Sequence, residues 1–145
     1  MPNNIYSKIE PDTLLLSIHR YGDISDTRLD ICPDEEYLQI STKRLVKGTT
    51  FAPHRHNALE RTIDNTHEAW IILEGSVAAT FWDFDDTVVC ETVLTKGDCA
   101  VAYRAGHGFT VLEDNTALYE VKNGPYYGQT KDKTFIVENK GDTNV

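Results

Sequence analysis

The chain reads as an all-β domain, and three observations lead there. Short apolar runs recur at regular intervals, glycine or aspartate turns separate them, and no stretch carries a convincing helical period. At 145 residues it has room for one hydrophobic core and too little for two domains of ordinary size.

The first strand is expected over residues 13–20, where Leu14, Leu15, Leu16 and Ile18 run into the turn Tyr21-Gly22-Asp23. Residues 23–36 are rich in aspartate, and Cys32-Pro33 forces an extended or turning backbone, so this stretch reads as an irregular connection. Leu38, Ile40 and Leu45 predict a strand over 37–46, with Lys47-Gly48 turning into a further, histidine-bearing strand.

Next comes a hairpin. Ala69 to Leu73 is almost wholly apolar, Gly75-Ser76 turns, and Val77 to Phe84 returns with Val77, Ala79 and Phe81 on one face. Asp85-Asp86 leads into a strand over 87–94, and Lys96-Gly97-Asp98 ends it. Strands are then expected over 99–103, 109–112 and 117–122, and a weak one over 134–137. Residues 138–145 form a polar tail expected to fray. The organisation that follows is an N-terminal strand and extension over 1–36, a barrel over 37–137 and the tail. Trp70, Phe81, Trp82 and Phe84 are assigned to the core by default.

Charge and composition exclude some functions. A net charge of -9 argues against a protein that neutralises a nucleic-acid backbone. No apolar run approaches the length of a membrane span, and Met1-Pro-Asn-Asn lacks the features of a secretory signal, so a cytoplasmic protein is expected. Cys32, Cys90 and Cys99 are odd in number and widely spaced, which fits reduced thiols.

The chemistry concentrates in Gly48-Thr-Thr-Phe-Ala-Pro-His54-Arg-His56. Two imidazoles at i and i+2 on an extended segment share a face of a sheet and can hold one ion. A carboxylate and a third imidazole from other strands would complete a shell suited to a divalent transition metal: Fe, Mn, Ni, Cu or Zn. His67 falls on the opposite face to Glu68 and reads as an exposed or sheet-packing residue, and His19 as structural.

These residues resemble the cupin superfamily. Its first motif is a glycine, five residues, His-x-His, a short gap, a glutamate, six residues and a glycine; here it is met by Gly48, His54, His56 and, after a longer gap, Glu68 and Gly75. The second motif is met in part, by Gly97 and His107, with Tyr103 where the family carries proline. Glu120 to Tyr126, followed by Asp132-Lys133, resembles the end of small cupin-fold metalloproteins of the WbuC-like type. The resemblance implies an RmlC-like jelly-roll barrel, the cupin double-stranded β-helix, with His54, His56, Glu68 and His107 as metal ligands. Glu60 stands at the family's distance after His56, but Glu68 opens an apolar strand that would hold it rigid, and Glu68 is preferred.

Arg61, Tyr103, Arg104 and Lys122 are the candidate contacts to a substrate, as anion-binding cations or, for Tyr103, a phenolic acid. The expected activity is that of a metal-dependent enzyme on a small sugar-like or carboxylate- or phosphate-bearing molecule, of isomerase, epimerase or dioxygenase type. A non-catalytic binding module and a metal-free sugar epimerase are the alternatives. A homodimer is expected from the resemblance and from the need to cover edge strands, with no nucleic-acid or membrane partner.

Overall fold

A computed structural model describes residues 1–137. Ten strands are formed: β1 (Asn3–Tyr6), β2 (Leu14–His19), β3 (Leu29–Asp30), β4 (Ser41–Thr42), β5 (Glu68–Glu74), β6 (Ser76–Trp82), β7 (Val88–Thr95), β8 (Cys99–Ala102), β9 (Gly106–Val111) and β10 (Ala117–Lys122). Among the described residues a single 3-10 turn (Tyr21–Asp23) and one short helix, α1 (Gln129–Asp132), accompany them. The fold is all-β, as the sequence predicts. No described helix is long and apolar enough to cross a membrane.

All pairings are antiparallel. A five-stranded sheet runs β1-β2-β8-β5-β10, a three-stranded sheet runs β7-β6-β9, and β3 and β4 form a two-stranded ribbon. Among the described residues the sheets do not close into a barrel: β9 and β10 each have one hydrogen-bonded neighbour.

Alternation explains the packing. Trp70 and Ile72 of β5, with Ala100 and Ala102 of β8, join Val77, Ala79 and Phe81 of β6 in a core between the two sheets. Their neighbours Ala69, Cys99 and Val101 point to the opposite face, where Leu14, Ile31, Cys32, Tyr103 and the half-buried Leu38 and Ile40 cover them. The central sheet is thus buried on both sides, which is why every residue of β2 and β8 is buried. Both buried thiols belong to this second cluster, and burial pushes the Cys99 thiol up to about 12, so it stays protonated and unreactive.

Two turns depend on glycine. Gly75 (φ 73°) links β5 to β6, and a Cβ there would meet the Thr116 hydroxyl and stand 2.9 Å from the Thr116 Cα. Gly97 (φ 84°) lies under the Tyr21 ring, beside Asp98, whose carboxylate accepts hydrogen bonds from the Tyr21 and Thr95 amides and from Arg20.

Several elements differ from expectation. The strand predicted over 37–46 shrinks to β4, because Leu38 and Ile40 serve as cover for the central sheet rather than as part of a sheet with their own ladder. The histidine-bearing strand does not form: residues 43–66 are irregular, and 51–64 are exposed throughout. β1, unanticipated because Asn3-Asn4 carries no apolar pattern, is held by pairing with β2. Residues 134–137 are not a strand, and α1 precedes them. Phe84 is not core but 46% exposed, since β6 ends at Trp82 and Phe84 sits in the turn beyond it. The polar tail over 138–145 lies outside the described residues.

Candidate functional site

The register of β5 against β10 sets Lys122 opposite Glu68 and Glu120 opposite Trp70. Directly opposed residues share a face, so all four point between the sheets. From the other sheet, β9 places His107 opposite the core residue Phe81 and therefore also inward. Trp70 carries the polar layer on its edge: its ring lies 4.7 Å from that of His107 and its Nε1 donates to Glu120 at 3.3 Å.

Glu68 is the centre of this layer. One of its oxygens, Oε2, is 3.5 Å from His107 Nε2 and 3.4 Å from Lys122 Nζ, and Lys122 also reaches Glu120 at 3.2 Å. Burial by itself would raise the Glu68 pKa. Contacts with His107 and Glu120 and the positive charge of Lys122 outweigh it and bring the carboxyl down to about 2. The same carboxylates hold Lys122 above the ordinary lysine value against the opposing effect of burial. Glu68 is therefore a buried, permanently ionised carboxylate at neutral pH.

Two clefts of about 650 and 700 Å³ share Glu68 and His107. Arg61, Asn65 and Asn123 line the first, and Trp82, Arg104 and Glu120 the second. Below them the gap between the sheets narrows to an apolar crevice lined by Phe81, Phe109 and Leu118.

The sequence-derived candidates separate into groups. Glu68, His107 and Lys122 come together. Arg61 lines the first cleft, and Arg104 lines the second while its guanidinium is bound to Glu36 at 2.8 Å. Tyr103 does not reach the cleft. It is buried on the far side of the central sheet, donates to Ser17 Oγ at 3.2 Å, and burial drives its pKa far up, so it is no proton donor to a ligand. His54 and His56 lie on the exposed segment, their rings 5.5 Å apart, and line neither cleft. Glu60 is exposed on the same segment, which leaves Glu68 as the rigidly held carboxylate.

The donor chemistry suits a metal, whereas its placement in one copy does not. His54 Nδ1 lies 2.8 Å from the Ala52 carbonyl and His107 Nδ1 lies 3.1 Å from that of Ala105. A carbonyl only accepts, so both rings donate through Nδ1 and turn Nε2 outward, the orientation of a metal-bound imidazole, with His107 Nε2 facing Glu68. Yet among the described residues no three His, Cys, Asp or Glu side chains gather to hold an ion.

Sequence reasoning missed Glu120 and Trp70 as members of the site. The signal was present in the period-2 alternation of 117–122, which puts Glu120 on the face of Lys122. His67, expected to be exposed or packed on the sheet, is packed: it is fully buried, stacked on Tyr37 at 4.9 Å and edge-on to Tyr103 at 5.3 Å, and lines neither cleft.

No protein-family model, curated protein or solved structure matches the chain.

Proposed function

We propose that the cleft at Glu68 binds a small molecule bearing hydroxyl and carboxylate or phosphate groups and moves a proton on it, an isomerase or epimerase type of reaction. The observation that carries this reading is the pair of contacts at Glu68, with His107 and Lys122 on the same carboxylate oxygen. His107 Nε2 takes a proton from a carbon next to a carbonyl and returns it after rearrangement. Glu68, 3.5 Å away, stabilises the imidazolium formed in between. Lys122 supplies positive charge for an anionic substrate group or for the oxygen that gains charge as the proton leaves.

The test is solvent deuterium exchange with a panel of sugar phosphates, sugar nucleotides and hydroxy acids. Wild-type protein should incorporate deuterium into at least one of them, and His107→Asn, with an unchanged melting temperature, should not. Ligands that bind and stabilise the protein but never exchange a proton would make it a binding module instead.

A second reading is a metal-binding cupin, with a divalent ion among Fe, Mn, Ni, Cu and Zn. It is supported by the shared Nδ1-to-carbonyl arrangement of His54 and His107 and by the ionised Glu68. It requires residues 54 and 56 to join Glu68 and His107. Elemental analysis of protein purified without chelator tests it, and less than a tenth of an equivalent of any transition metal, on the order of contamination, would end it.

A further inference from the structure

The first cleft has a positively charged wall that the proton transfer at Glu68 does not use. Arg61, Lys131 and Lys133 line it, and none of them is paired with a carboxylate among the described residues, in a chain that carries 23 acids. The acids of the same wall are engaged. Asp64 accepts from the Tyr37 hydroxyl at 2.8 Å, Asp132 accepts from the Thr66 hydroxyl at 2.9 Å, and Glu68 faces Lys122 at 3.4 Å. The remaining cations near Glu68 already have partners: Lys122 lies between Glu68 and Glu120, and the Arg104 guanidinium is bound to Glu36.

The unpaired cations stand on chain that is tied down. Asp132 and Lys133 border both clefts, so the end of α1 lies between two openings that share Glu68 and His107. It is held at Asp132, between the two lysines, by Thr66, and again at Ile136, which packs on Gly106 and Trp82 in the space that a Cβ at Gly106 would need. Arg61 belongs to the irregular segment, just ahead of its anchors: Asp64 on Tyr37, and Asn65, which donates to the Tyr103 carbonyl at 2.7 Å.

Depth orders the groups along the cleft. Glu68 is buried, whereas Arg61, Lys131 and Lys133 are exposed, so the carboxylate marks the inner end and the cations the rim. A cleft of about 650 Å³ has room for a small molecule that spans the two. One carboxylate would leave most of this positive charge unanswered. A phosphomonoester, with about two negative charges at neutral pH and several strong acceptor oxygens, matches it.

We infer that Arg61, Lys131 and Lys133 form a phosphate subsite at the rim of the first cleft, and that the ligand is a small phosphomonoester whose carbon skeleton runs inward to Glu68 and His107. As a statement about substrate this rests on the proton-transfer reading and narrows it to phosphomonoesters, leaving Lys122 for the oxygen that gains charge. The subsite itself rests on the unpaired cations.

The experiment is calorimetric titration of the full chain, at neutral pH and fixed ionic strength, with glycerol phosphate, glycerate and glycerol, which share a carbon skeleton and differ at one end. Glycerol phosphate should bind about tenfold or more tighter than glycerate, and glycerol should show no binding. Arg61→Gln and Lys133→Gln should each weaken the phosphate about threefold or more, and adding Lys131→Gln to the pair should abolish binding. Lys96→Gln, an exposed lysine in the turn between β7 and β8, should leave the affinity unchanged. Equal affinities for glycerol phosphate and glycerate overturn the subsite, as does no binding of glycerol phosphate at about 10 mM. Undiminished binding in the triple variant, with its melting temperature kept, overturns it too, and an equal loss in Lys96→Gln would reduce it to diffuse attraction by surface charge. Failure of the two readings looks different: glycerol phosphate bound through these cations, with no deuterium exchange in any phosphomonoester, upholds the subsite and removes the proton transfer, whereas exchange confined to molecules without phosphate upholds the proton transfer and overturns the subsite.

Discussion

Glu68 and Lys122 stand opposite each other across β5 and β10, with the ammonium nitrogen 3.4 Å from the carboxylate and both side chains largely withdrawn from water. Because Glu68 is held near 2, below its ordinary 4.5, its ionised form stabilises the fold. That contribution is complete above about pH 4.5 and is lost as the pH falls through 2, on the order of 3 kcal/mol in all. Urea unfolding from pH 5 to pH 2 should show this slope in wild-type protein and a flatter one in Glu68→Gln. Equal slopes would mean that Glu68 is not the group responsible.

A second pH dependence lies at His67. Burial lowers its pKa below 6.5, while Glu36, whose carboxylate is 3.4 Å from Nε2 without alignment for a hydrogen bond, raises it less, and Arg104 lowers it further. The folded state therefore resists protonation. Stability is intact above pH 6.5 and declines as the pH drops below it, with His19 adding in the same direction. His67→Phe keeps the stacking on Tyr37 and should reduce the fall in melting temperature between pH 7 and pH 5. A wild-type slope in that variant would contradict the assignment.

The β5–β6 turn should not tolerate a side chain. Gly75→Ala combines positive φ with an approach to Thr116 backbone that no rotamer relieves, and a loss of about 1–3 kcal/mol is expected in thermal unfolding. A melting temperature within a degree or so of wild type would show that the turn can rearrange.

Phe81 and Phe84 offer a direct contrast, three residues apart. Phe81→Ala removes a ring from the centre of the inter-sheet core and should cost about 3–5 kcal/mol. Phe84→Ala, half exposed in a turn, should stay within about 0.5 kcal/mol of wild type. Similar losses in the two would place Phe84 in the core after all.

The strands from β5 to β10 could be read along the chain because each is a short run, alternating as in β6 or continuously apolar as in β5 and β8, and most stop at a glycine, aspartate or asparagine that turns the chain. Asp86 and Asn115, for example, both adopt φ 62° where turns were expected. Glu68 was distinguishable from Glu60 for the same local reason, since it opens an apolar run and Glu60 does not.

Other features are not local. Whether Leu38 and Ile40 pair in a ladder or lie across a sheet depends on which face of that sheet is still uncovered, and β1 forms only because β2 presents an edge to it. A strand is completed by its neighbour's hydrogen bonds, so 43–66 stays irregular in spite of its His-x-His spacing when no neighbour takes it up. The pattern of residue types set which side chains share a face; the meeting of β5, β9 and β10 alone set that Glu68, His107 and Lys122 share a point, because distance between strands is a property of the packed sheets and not of spacing along the chain.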